Sequence, residues 1–412
     1  MTLKFLSGSE AAAWGAKLAR VEVISAYPIS PNTAALAALA DMASNGLMDA
    51  EIVNVEGEHS AGSVCAGATT AGARSLTVTC GQGMAYMHEV LWMASGMALP
   101  FVIIATSRAI GSPESLVCDF SDTLSERDAS ILQFYPEDAQ EVLDSVIMAY
   151  RTGEHPDVLL PSFVCVEGYR LTHAFEPVDV PEQEAVDAFL PPYRPSHMYY
   201  DVSDPLGIGH TALQEYWPMK YQQHQAMLRA KEVIREVAAE FAQRFGRQYS
   251  LVEPYRTEDA ELVLVAMGTS AAVAREAADA FRSRGAKVGV LKLRVFRPFP
   301  EEDIRAALAG AKRVLVLDRF LSPGAHGVCF AEVKGALYGT GASVSSYMIG
   351  HRDIARDDVE RMVEVALARS EPFEEWYSFD IDVEAEAAIA RGISIPRLER
   401  GDPRPDTQGR VT

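Results

Sequence analysis

Short apolar runs alternate with helix-like stretches along most of the chain. In the first part, four apolar runs of strand length are each followed by a helix-like stretch or a turn: Val21–Ser25, Glu51–Val55, Leu76–Cys80 and Phe101–Ala105. A helix-like segment, Asp138–Arg151, then leads to a further apolar run, Val158–Val166. Short apolar strands that alternate with helices predict a parallel, doubly wound sheet. We expect this first α/β domain to cover residues 1–175.

The same alternation restarts near residue 255. Strands are predicted, with helices between them, at Leu262–Met267, Val288–Leu293, Arg313–Asp318 and Val344–Ile349. This pattern predicts a second α/β domain over residues 255–370. The fold class expected for the chain is therefore α/β with two doubly wound domains.

Two segments lack this alternation. Residues 176–254 begin with the proline-rich stretches "EPVDVPEQEAVDAFLPPYRP" and "SDPLGIGH", which have no sustained periodicity. Such a stretch is typical of an extended arm on a neighbouring surface, and it precedes an amphipathic helix predicted at Lys220–Phe245. Residues 371–412, which end in "RLERGDPRPDTQGRVT", have few apolar groups near their end and are predicted to form a loosely held tail.

Composition and charge narrow the possible partners. The 412 residues are 48% hydrophobic and 23% charged, which is typical of globular proteins with roughly two or three domains. A net charge of -20 argues against a nucleic acid or an anionic membrane as partner. No apolar run reaches the ~18 residues that span a bilayer, and "MTLKFLSGSE" lacks the apolar core of a signal peptide. The sequence therefore predicts a cytoplasmic protein.

The cysteines do not form a metal-binding pattern. The five of them are Cys65, Cys80, Cys118, Cys165 and Cys329, and none are spaced as C-x-x-C. This spacing argues against a zinc site or an iron–sulfur cluster held by this chain alone. We expect core thiols instead, and any redox metal centre would lie on another chain.

The segment "VISAYPISPNT", residues 23–33, stiffens the turn between a predicted strand and a helix with two prolines. Each proline fixes its own φ and biases the preceding residue, Tyr27 or Ser30, toward an extended conformation. Ligands in open α/β sheets bind at the carboxyl ends of strands, where this turn lies. A plain strand-to-helix connection, with Asn32 or Thr33 capping the helix, is the alternative interpretation.

Three further strand ends carry a polar or rigid feature. Glu58 follows one strand within "VEGEHSAGS", although it could simply complement a helix N-terminus. Gly81 and Gly83 follow the next in "TCGQGMAY", which is a weak phosphate-loop signal and could be a tight turn. Arg108 ends a fourth apolar run and suits a small carboxylate, unless it forms a surface ion pair with a nearby acid such as Glu114. Because parallel strands end on one edge, we expect Ser30, Glu58, the Gly81 turn and Arg108 to form one site.

Several segments, in order, resemble the alpha subunits of pyruvate:ferredoxin oxidoreductases, within the 2-oxoacid:ferredoxin oxidoreductase family. They are "AYPISPNT", "VEGEHSAGSVCAGATTAGAR", "GQGMAYMHEVLWMASGMALP", "SRAIGSPESLVCDFSDTLSERD", "QFYPEDAQEVLDSVIMAYR", "FLPPYRP" and "LKLRVFRPFPEEDI". The resemblance runs from about residue 5 to residue 370. It implies a thiamine-diphosphate pyrimidine-binding-type first domain and a transketolase C-terminal-like second domain without catalytic groups.

The resemblance also implies roles for particular residues. Glu58 falls where the family places the catalytic glutamate that bonds the aminopyrimidine ring of thiamine diphosphate. Ser30 and Arg108 fall where the family binds the substrate carboxylate. The remaining cofactor-binding positions implied by the resemblance are Tyr27, Pro28, Gly81 and Gln82. Under this interpretation the two prolines hold the Ser30 hydroxyl still against one end of a 2-oxoacid.

The family divides its active site among chains. The resemblance implies that a beta chain holds the diphosphate and Mg²⁺, and that beta, gamma and ferredoxin-like delta subunits or domains complete the complex. Iron–sulfur clusters would lie on partner subunits only, and no metal is expected on this chain. Pyruvate and coenzyme A would be converted to acetyl-CoA and CO₂, with electrons passing to ferredoxin through another subunit. This chain has no GDG motif followed by an Asn-containing metal motif, which agrees with that division.

Departures from the family pattern leave the substrate open. Ser30 replaces a threonine, and "VCDFSD" replaces a pattern more like "WGDHSD", so Val117 and Phe120 stand where Trp and His are common. Ile131 likewise stands where a Trp is usual. The alternatives are another 2-oxoacid, such as 2-oxoglutarate, a branched-chain oxoacid or oxalate, and a non-catalytic scaffold subunit. Oxalate is disfavoured because its second carboxylate would require another cation near Ser30.

Overall fold

We analysed a computed structural model of the chain. The structure describes residues 2–111, 114–195, 197, 200, 203, 214–350 and 353–377. Most of the proline-rich stretch between 196 and 213 and most of the predicted tail, from 378 onward, lie outside the described residues.

The first sheet is parallel except at one edge. Its strand order is β12-β6-β7-β5-β4-β2-β3, and β1 pairs with β8 in a separate antiparallel ribbon. Only β12, which comes from the second half of the chain, is antiparallel to its neighbour. The strands of this half are β1 (Thr2–Ser7), β2 (Val23–Ala26), β3 (Glu51–Asn54), β4 (Ser75–Thr79), β5 (Val102–Ser107), β6 (Leu132–Phe134), β7 (Ser162–Glu167) and β8 (Phe175–Val180).

The helices of this half pack on both sides of the first sheet. They are α1 (Gly8–Leu18), α2 (Thr33–Ser44), α3 (Glu58–Thr70), α4 (Gly81–Gly96), α5 (Ser121–Leu124), α6 (Ala139–Gly153), α7 (Arg170–His173), α8 (Gln183–Phe189) and α9 (Tyr216–Phe245). Helix α3 has small residues that let α4 approach closely: a Cβ added at Gly62 would lie 3.0 Å from Met87 and Val90. Residues 176–180 and 183–189, part of the stretch predicted as an extended arm, instead belong to β8 and α8.

The second sheet has the order β15-β14-β13-β10-β11-β9, with only β9 antiparallel to its neighbour. One apolar cluster contains buried residues of both sheets, so the two α/β units share a core. The boundaries proposed for the domains stay a prediction. The strands are β9 (Val252–Tyr255), β10 (Leu262–Ala266), β11 (Val288–Leu293), β12 (Val295–Arg297), β13 (Arg313–Asp318), β14 (Ser343–Met348) and β15 (Glu374–Trp376), and the helices are α10 (Thr269–Ser283), α11 (Glu301–Ala307), α12 (Val328–Ala336) and α13 (Arg356–Ala368).

Candidate active site

The four strand ends singled out in the sequence meet at one edge of the first sheet. Strands β2, β3, β4 and β5 are neighbours and run parallel, so their carboxyl ends point the same way. We call the segments that follow these ends the rim, and define it as residues 27–32, 57–58, 80–83 and 107–108. The sequence predicted that these strand ends share one edge of a parallel sheet, and the observed strand order β5-β4-β2-β3 agrees with that arrangement.

The loop after β2 is fixed by a buried amide rather than by a helix cap. Asn32 is fully buried; its Oδ1 accepts the backbone N–H of Ile29, and its Nδ2 donates to the carbonyls of Tyr27 and Val78 at 3.1 and 3.0 Å. It occupies the N-cap position of α2 but makes no capping bond with its side chain, so that part of the plain interpretation is wrong. Tyr27, Pro28 and Ser30 are exposed on this loop.

The turn at residues 80–83 connects the other parts of the rim. The Cys80 thiol donates to the carbonyl of Ser30 at 3.2 Å. Gly81 has φ +50° and lies against Arg108: a Cβ there would come 2.8 Å from Nε. A Cβ on Gly83 would come 2.4 Å from Oε1 of Glu58. Side chains are thus excluded at both glycines, because carboxylate and guanidinium occupy the space.

Glu58 begins helix α3 and is almost fully buried, with 6% of its surface exposed. Its position in the first turn favours the negative charge, as the simpler interpretation proposed. Among the described residues, however, its carboxylate has no hydrogen-bond or ion-pair partner. A carboxylate in a largely buried residue that has no protein partner is suited to a ligand that donates a hydrogen bond.

Arg108 lies at the end of β5 and its side chain is only 3% exposed, so it is not a surface residue. Its Nη1 donates to Oε1 of Glu114 at 2.8 Å, and its Nη2 donates to Oε1 of Gln82 at 2.9 Å. Gln82, predicted as a cofactor-binding residue, therefore holds one arm of the guanidinium in this structure. The ion pair with Glu114 that the sequence left as an alternative is present, but it joins a buried cation to an exposed acid.

Asp122 is a member of the site that the sequence did not single out. One oxygen of its carboxylate, Oδ2, accepts the backbone N–H groups of both Gly81 and Arg108 at 3.0 Å. The other, Oδ1, accepts the N–H of Thr123 at 2.8 Å. Burial raises the pKa of Asp122 to about 7, although these backbone hydrogen bonds act in the opposite direction. No local pattern marks this residue among the several acids of its segment, because its partners lie on two separate strand ends.

Several buried polar atoms at the ends of β4 and β5 have no hydrogen-bond partner among the described residues. They are Oγ1 of Thr79, Oγ of Ser107 and Nε of Arg108. Together with the carboxylate of Glu58, they provide both donors and acceptors next to the glycine turn. Thiamine's aminopyrimidine ring also carries donors and acceptors, so the residues present fit that half of the cofactor.

The domain that contains the second sheet contacts the end of β7, beside the rim. Glu167 is buried, and its carboxylate accepts the N–H and the hydroxyl of Thr269, at the start of α10, at 2.8 and 2.6 Å. Arg319 lies 4.0 Å from the same carboxylate. Gly268, with φ +56°, lets α10 approach this close, since a Cβ there would lie 2.3 Å from Oε1 of Glu167. Sequence reasoning missed this contact, because the two residues are 102 positions apart.

The residues that depart from the family pattern occupy different environments. Phe120 and Ile131 are fully buried in the apolar cluster, and Phe120 packs edge-on against Tyr135 with ring centroids 4.9 Å apart. Val117 is exposed. Phe120 and Ile131 therefore act on the rim through packing, by supporting the segment that carries Asp122.

Three further properties of the described residues concern metal-type side chains, cysteines and long apolar helices. The part of the chain that the structure describes holds no cluster of three or more His, Cys, Asp or Glu side chains suited to a metal ion. All five cysteines are free and buried, including Cys118. Within the same residues, no helix has the length and apolar character needed to cross a bilayer.

Comparison with known proteins identifies the family. Residues 14–239 match the family described as "Pyruvate flavodoxin/ferredoxin oxidoreductase, thiamine diP-bdg", and residues 260–359 match "Pyruvate:ferredoxin oxidoreductase core domain II". The chain belongs to the pyruvate:ferredoxin oxidoreductase family. The "Pyruvate synthase subunit PorA" of Methanothermobacter thermautotrophicus is 43% identical over 88% of this chain and 95% of its own length.

A relative with a different named substrate and two solved structures are also similar to this chain. The "Ketoisovalerate oxidoreductase subunit VorA" of Pyrococcus horikoshii is 41% identical over 88% of this chain and 93% of its own length. Among solved structures, the 2-oxoglutarate:ferredoxin oxidoreductase of Magnetococcus marinus superimposes with a TM-score of 0.68 at 20% identity, over 89% of this chain and 65% of that chain. A split-gene transketolase superimposes with a TM-score of 0.51 at 14% identity, over 88% of this chain and 99% of that chain. The predicted family and the α/β fold class are confirmed.

Proposed function

We propose that this chain is the alpha subunit of a pyruvate:ferredoxin oxidoreductase and supplies the pyrimidine side of a shared thiamine-diphosphate site. The observation that carries the proposal is the rim: the turn at residues 80–83 lies between a buried carboxylate, Glu58, and a buried guanidinium, Arg108. Family membership supports the cofactor, since the matched first domain is described as thiamine-diphosphate-binding. The proposed reaction is the CoA-dependent oxidative decarboxylation of pyruvate to acetyl-CoA and CO₂, with two electrons passed to ferredoxin.

Glu58 would hold the pyrimidine ring. When bound, thiamine diphosphate supplies the electron sink for decarboxylation. The Glu58 carboxylate would accept a hydrogen bond from a ring nitrogen and so hold a proton there. Gly83 leaves room for this contact, because any side chain at that position would collide with Oε1 of Glu58. Tyr27, Pro28, Gly81 and Gln82 are the further residues that we assign to the cofactor side of the pocket.

Ser30 and Arg108 would bind the carboxylate of the substrate. Arg108 is a buried, permanently charged donor with a fixed direction, which suits a small carboxylate. Ser30 lies on the exposed loop whose backbone is held by Asn32 and by the Cys80 thiol. Positioning by rigid elements of this kind lowers the entropic cost of reaching the reactive geometry.

Partner chains complete the proposed enzyme. We assign the diphosphate and Mg²⁺ to a beta subunit, and the iron–sulfur clusters to partner subunits only. Gamma and ferredoxin-like delta subunits or domains are the other expected partners, and the comparison with pyruvate synthase subunits supports a multi-subunit complex. The chain's net charge of -20 makes it a poor docking surface for acidic ferredoxins, so electrons would leave through another subunit.

A branched-chain 2-oxoacid is the second candidate substrate. The identity to a ketoisovalerate oxidoreductase subunit, 41%, is close to the 43% found for a pyruvate synthase subunit. Val117, Phe120 and Ile131 also replace residues that are larger or more polar in the family pattern. Pyruvate is favoured because several relatives that are 41–44% identical over 88% of this chain are pyruvate synthase subunits.

The experiment is a substrate assay on the native complex. The complex would be purified and its reduction of a low-potential dye measured with CoA and pyruvate, 3-methyl-2-oxobutanoate or 2-oxoglutarate. We expect the highest kcat/KM with pyruvate. A higher kcat/KM with 3-methyl-2-oxobutanoate would make this branched-chain 2-oxoacid, rather than pyruvate, the proposed substrate. No turnover with any of the oxoacids would support the scaffold interpretation.

Calorimetry on separated subunits tests the shared site. The isolated chain should bind thiamine diphosphate weakly or not at all, and addition of the beta subunit should create tight, Mg²⁺-dependent binding. Tight, Mg²⁺-dependent binding to the isolated chain would contradict the division of the cofactor between chains.

A further inference from the structure

Arg108 already binds a carboxylate of its own chain. Its Nη1 donates to Oε1 of Glu114 at 2.8 Å, and this is the only hydrogen bond or ion pair of the Glu114 side chain among the described residues. The two side chains differ sharply in exposure, 3% for Arg108 and 64% for Glu114. A buried cation is therefore balanced by an acid that stands mostly in water.

The fold fixes the cation and leaves the acid weakly held. The backbone N–H of Arg108 is bound by Asp122, and its Nη2 is bound by Gln82. Gly81 packs against its Nε. Glu114 has no comparable restraint on its side chain. Ion pairs with one largely solvated partner contribute little free energy, so the carboxylate of Glu114 can leave while the guanidinium stays in place.

We propose that Glu114 is an internal counter-ion of Arg108, which the carboxylate of the 2-oxoacid displaces when the substrate binds. The inference rests on the proposed function, because it takes Arg108 as the carboxylate-binding residue. One carboxylate replaces another on Nη1, so Arg108 keeps an opposite charge before and after binding. Gln82 continues to accept a hydrogen bond from Nη2 whether or not Glu114 is in place.

Displacement has a consequence for affinity. Only the fraction of molecules in which Glu114 has left Arg108 can accept the substrate on Nη1, and the apparent Kd rises in inverse proportion to that fraction. Glu114 therefore weakens substrate binding in exchange for a neutralised site in the free enzyme. Removing its charge should tighten binding of any small carboxylate, and the chemical step should be unaffected.

The test uses the assembled complex with Glu114→Gln and Glu114→Ala. Oxamate, an unreactive carboxylate of pyruvate's size, would be titrated by calorimetry, and kcat and KM for pyruvate would be measured in parallel. We expect both the Kd for oxamate and the KM for pyruvate to fall by about three- to tenfold, as for loss of a competing ion pair of modest strength, with kcat unchanged. Two substitutions of different size guard against an effect of side-chain shape.

A matched control is Glu232→Gln. Glu232 is an exposed acid paired with Arg235 on helix α9, so the substitution removes the same charge away from the rim. It should leave the Kd for oxamate unchanged. If it tightened binding as much as Glu114→Gln, a general effect of the chain's negative charge would replace the displacement mechanism.

Arg108→Lys separates failure of this inference from failure of the proposed function. If Arg108→Lys weakens oxamate binding while both Glu114 variants bind as the wild type or more weakly, displacement by the substrate is wrong and the substrate pocket stands. If Arg108→Lys leaves oxamate binding unchanged, the pocket assignment itself is wrong and the inference falls with it.

Discussion

Two groups of charged side chains in this chain are paired in different ways. One is the rim, with buried Glu58 and Arg108. The other, which we call the interdomain network, consists of buried Glu141, Lys292 and Arg294 with half-buried Glu137 and Glu253. In the network every charge faces an opposite one: Lys292 Nζ lies 2.6 Å from Oε2 of Glu141, and Arg294 Nε donates to its Oε1 at 2.7 Å. At the rim, Glu58 has no partner among the described residues.

The pKa shifts distinguish the most buried members of the network from Asp122. At Glu141 and Lys292 burial opposes ionisation, but the opposite charges outweigh it, so the pKa of Glu141 is lowered and the pKa of Lys292 is raised. At the half-buried Glu253 burial dominates and raises the pKa. Beside the rim, burial dominates for Asp122, whose carboxylate accepts the N–H groups of Gly81 and Arg108, and raises its pKa to about 7. The network pairs its buried charges where the two α/β units join, whereas Glu58 has no partner among the described residues and is available to a ligand. Substitutions at the rim should therefore reduce activity, and substitutions in the network should reduce stability.

The largest expected effect is that of Glu58→Gln at the rim. The amide has the shape of the carboxylate but cannot stabilise a proton on the pyrimidine ring. We expect kcat to fall by about 10²–10⁴-fold, the usual range for losing a positioned acid–base group, while the complex stays assembled. Dye reduction measures kcat, and size-exclusion chromatography measures whether the complex is assembled. Near-normal turnover would show that Glu58 is not the cofactor glutamate.

The next largest effect is expected for Lys292→Met in the network. The substitution keeps the unbranched shape but leaves buried carboxylates, above all Glu141, without one of their cations. We expect a loss of about 3–5 kcal/mol in unfolding free energy, with KM and kcat of the folded fraction close to those of the wild type. The free energy of unfolding is measured by urea denaturation, with the unfolded fraction of this chain detected by its susceptibility to proteolysis.

Lys231→Met is the control for the network. Nζ of Lys231 lies 2.9 Å from Oε2 of the exposed Glu302, so the substitution removes an ion pair near the surface. The cost should be under ~1 kcal/mol. If the two lysine variants were equally stable, burial would not distinguish the network from ordinary surface pairs.

Arg108→Lys tests the rim with a smaller change. Lysine keeps the charge but lacks the planar fork, so it cannot bind Gln82 and a substrate carboxylate in the same geometry. Loss of one charge-assisted hydrogen bond, about 1.5–3 kcal/mol, should raise the KM for pyruvate by about one to two orders of magnitude. Binding of thiamine diphosphate to the complex should barely change. An unchanged KM and kcat would remove Arg108 from the site.

Much of the fold could be predicted from the sequence because parallel strands in α/β units are buried on both faces. The eight strands predicted outright lie within two residues of those observed, and Val288–Leu293 and Arg313–Asp318 have the same bounds. The short strand β12 was missed, because Val295–Arg297 completes the first sheet by pairing with β6, far away in the sequence. Strands β1 and β8 were missed as well, since an exposed two-stranded ribbon has no continuous apolar run.

The site could be predicted only where a residue follows a strand end. Glu58, Arg108 and the glycine turn were found in this way, because strand order in a parallel sheet brings such residues together. Asp122 binds backbone groups of two distant segments and Glu167 binds the second sheet, so no local pattern reveals them, and the bond from Asn32 to Val78 was missed for the same reason. Long-range contacts of this kind depend on the tertiary structure.

The smallest expected effect on KM is that of Asp122→Asn, which also changes how stability depends on pH. The pKa of Asp122 is about 7 in the folded chain and about 4 for an unfolded one, so between these values the folded chain binds more protons. Stability from this group is therefore present at low pH and declines as the pH rises through that window. In Asp122→Asn the decline is absent, so wild-type unfolding free energy should fall relative to the variant by up to about 1.4 kcal/mol per pH unit.

Asp318 sharpens this last test, because it is the same chemical group away from the rim. It is fully buried in the second sheet, accepts the N–H of Phe330 at 2.8 Å, and has its pKa raised by burial to about 7. Asp318→Asn should change the pH dependence of stability in the same direction as Asp122→Asn.

Only Asp122→Asn should also raise the KM for pyruvate, by about three- to tenfold, because the lost hydrogen bonds position Arg108 and Gly81. Denaturation at pH 5.5, 6.5 and 7.5 and steady-state kinetics at pH 7.5 measure both. Equal KM values in the two variants would mean that Asp122 stabilises the fold without positioning the substrate site, and the contrast between the rim and the rest of the buried charges would then rest on Glu58 and Arg108 alone.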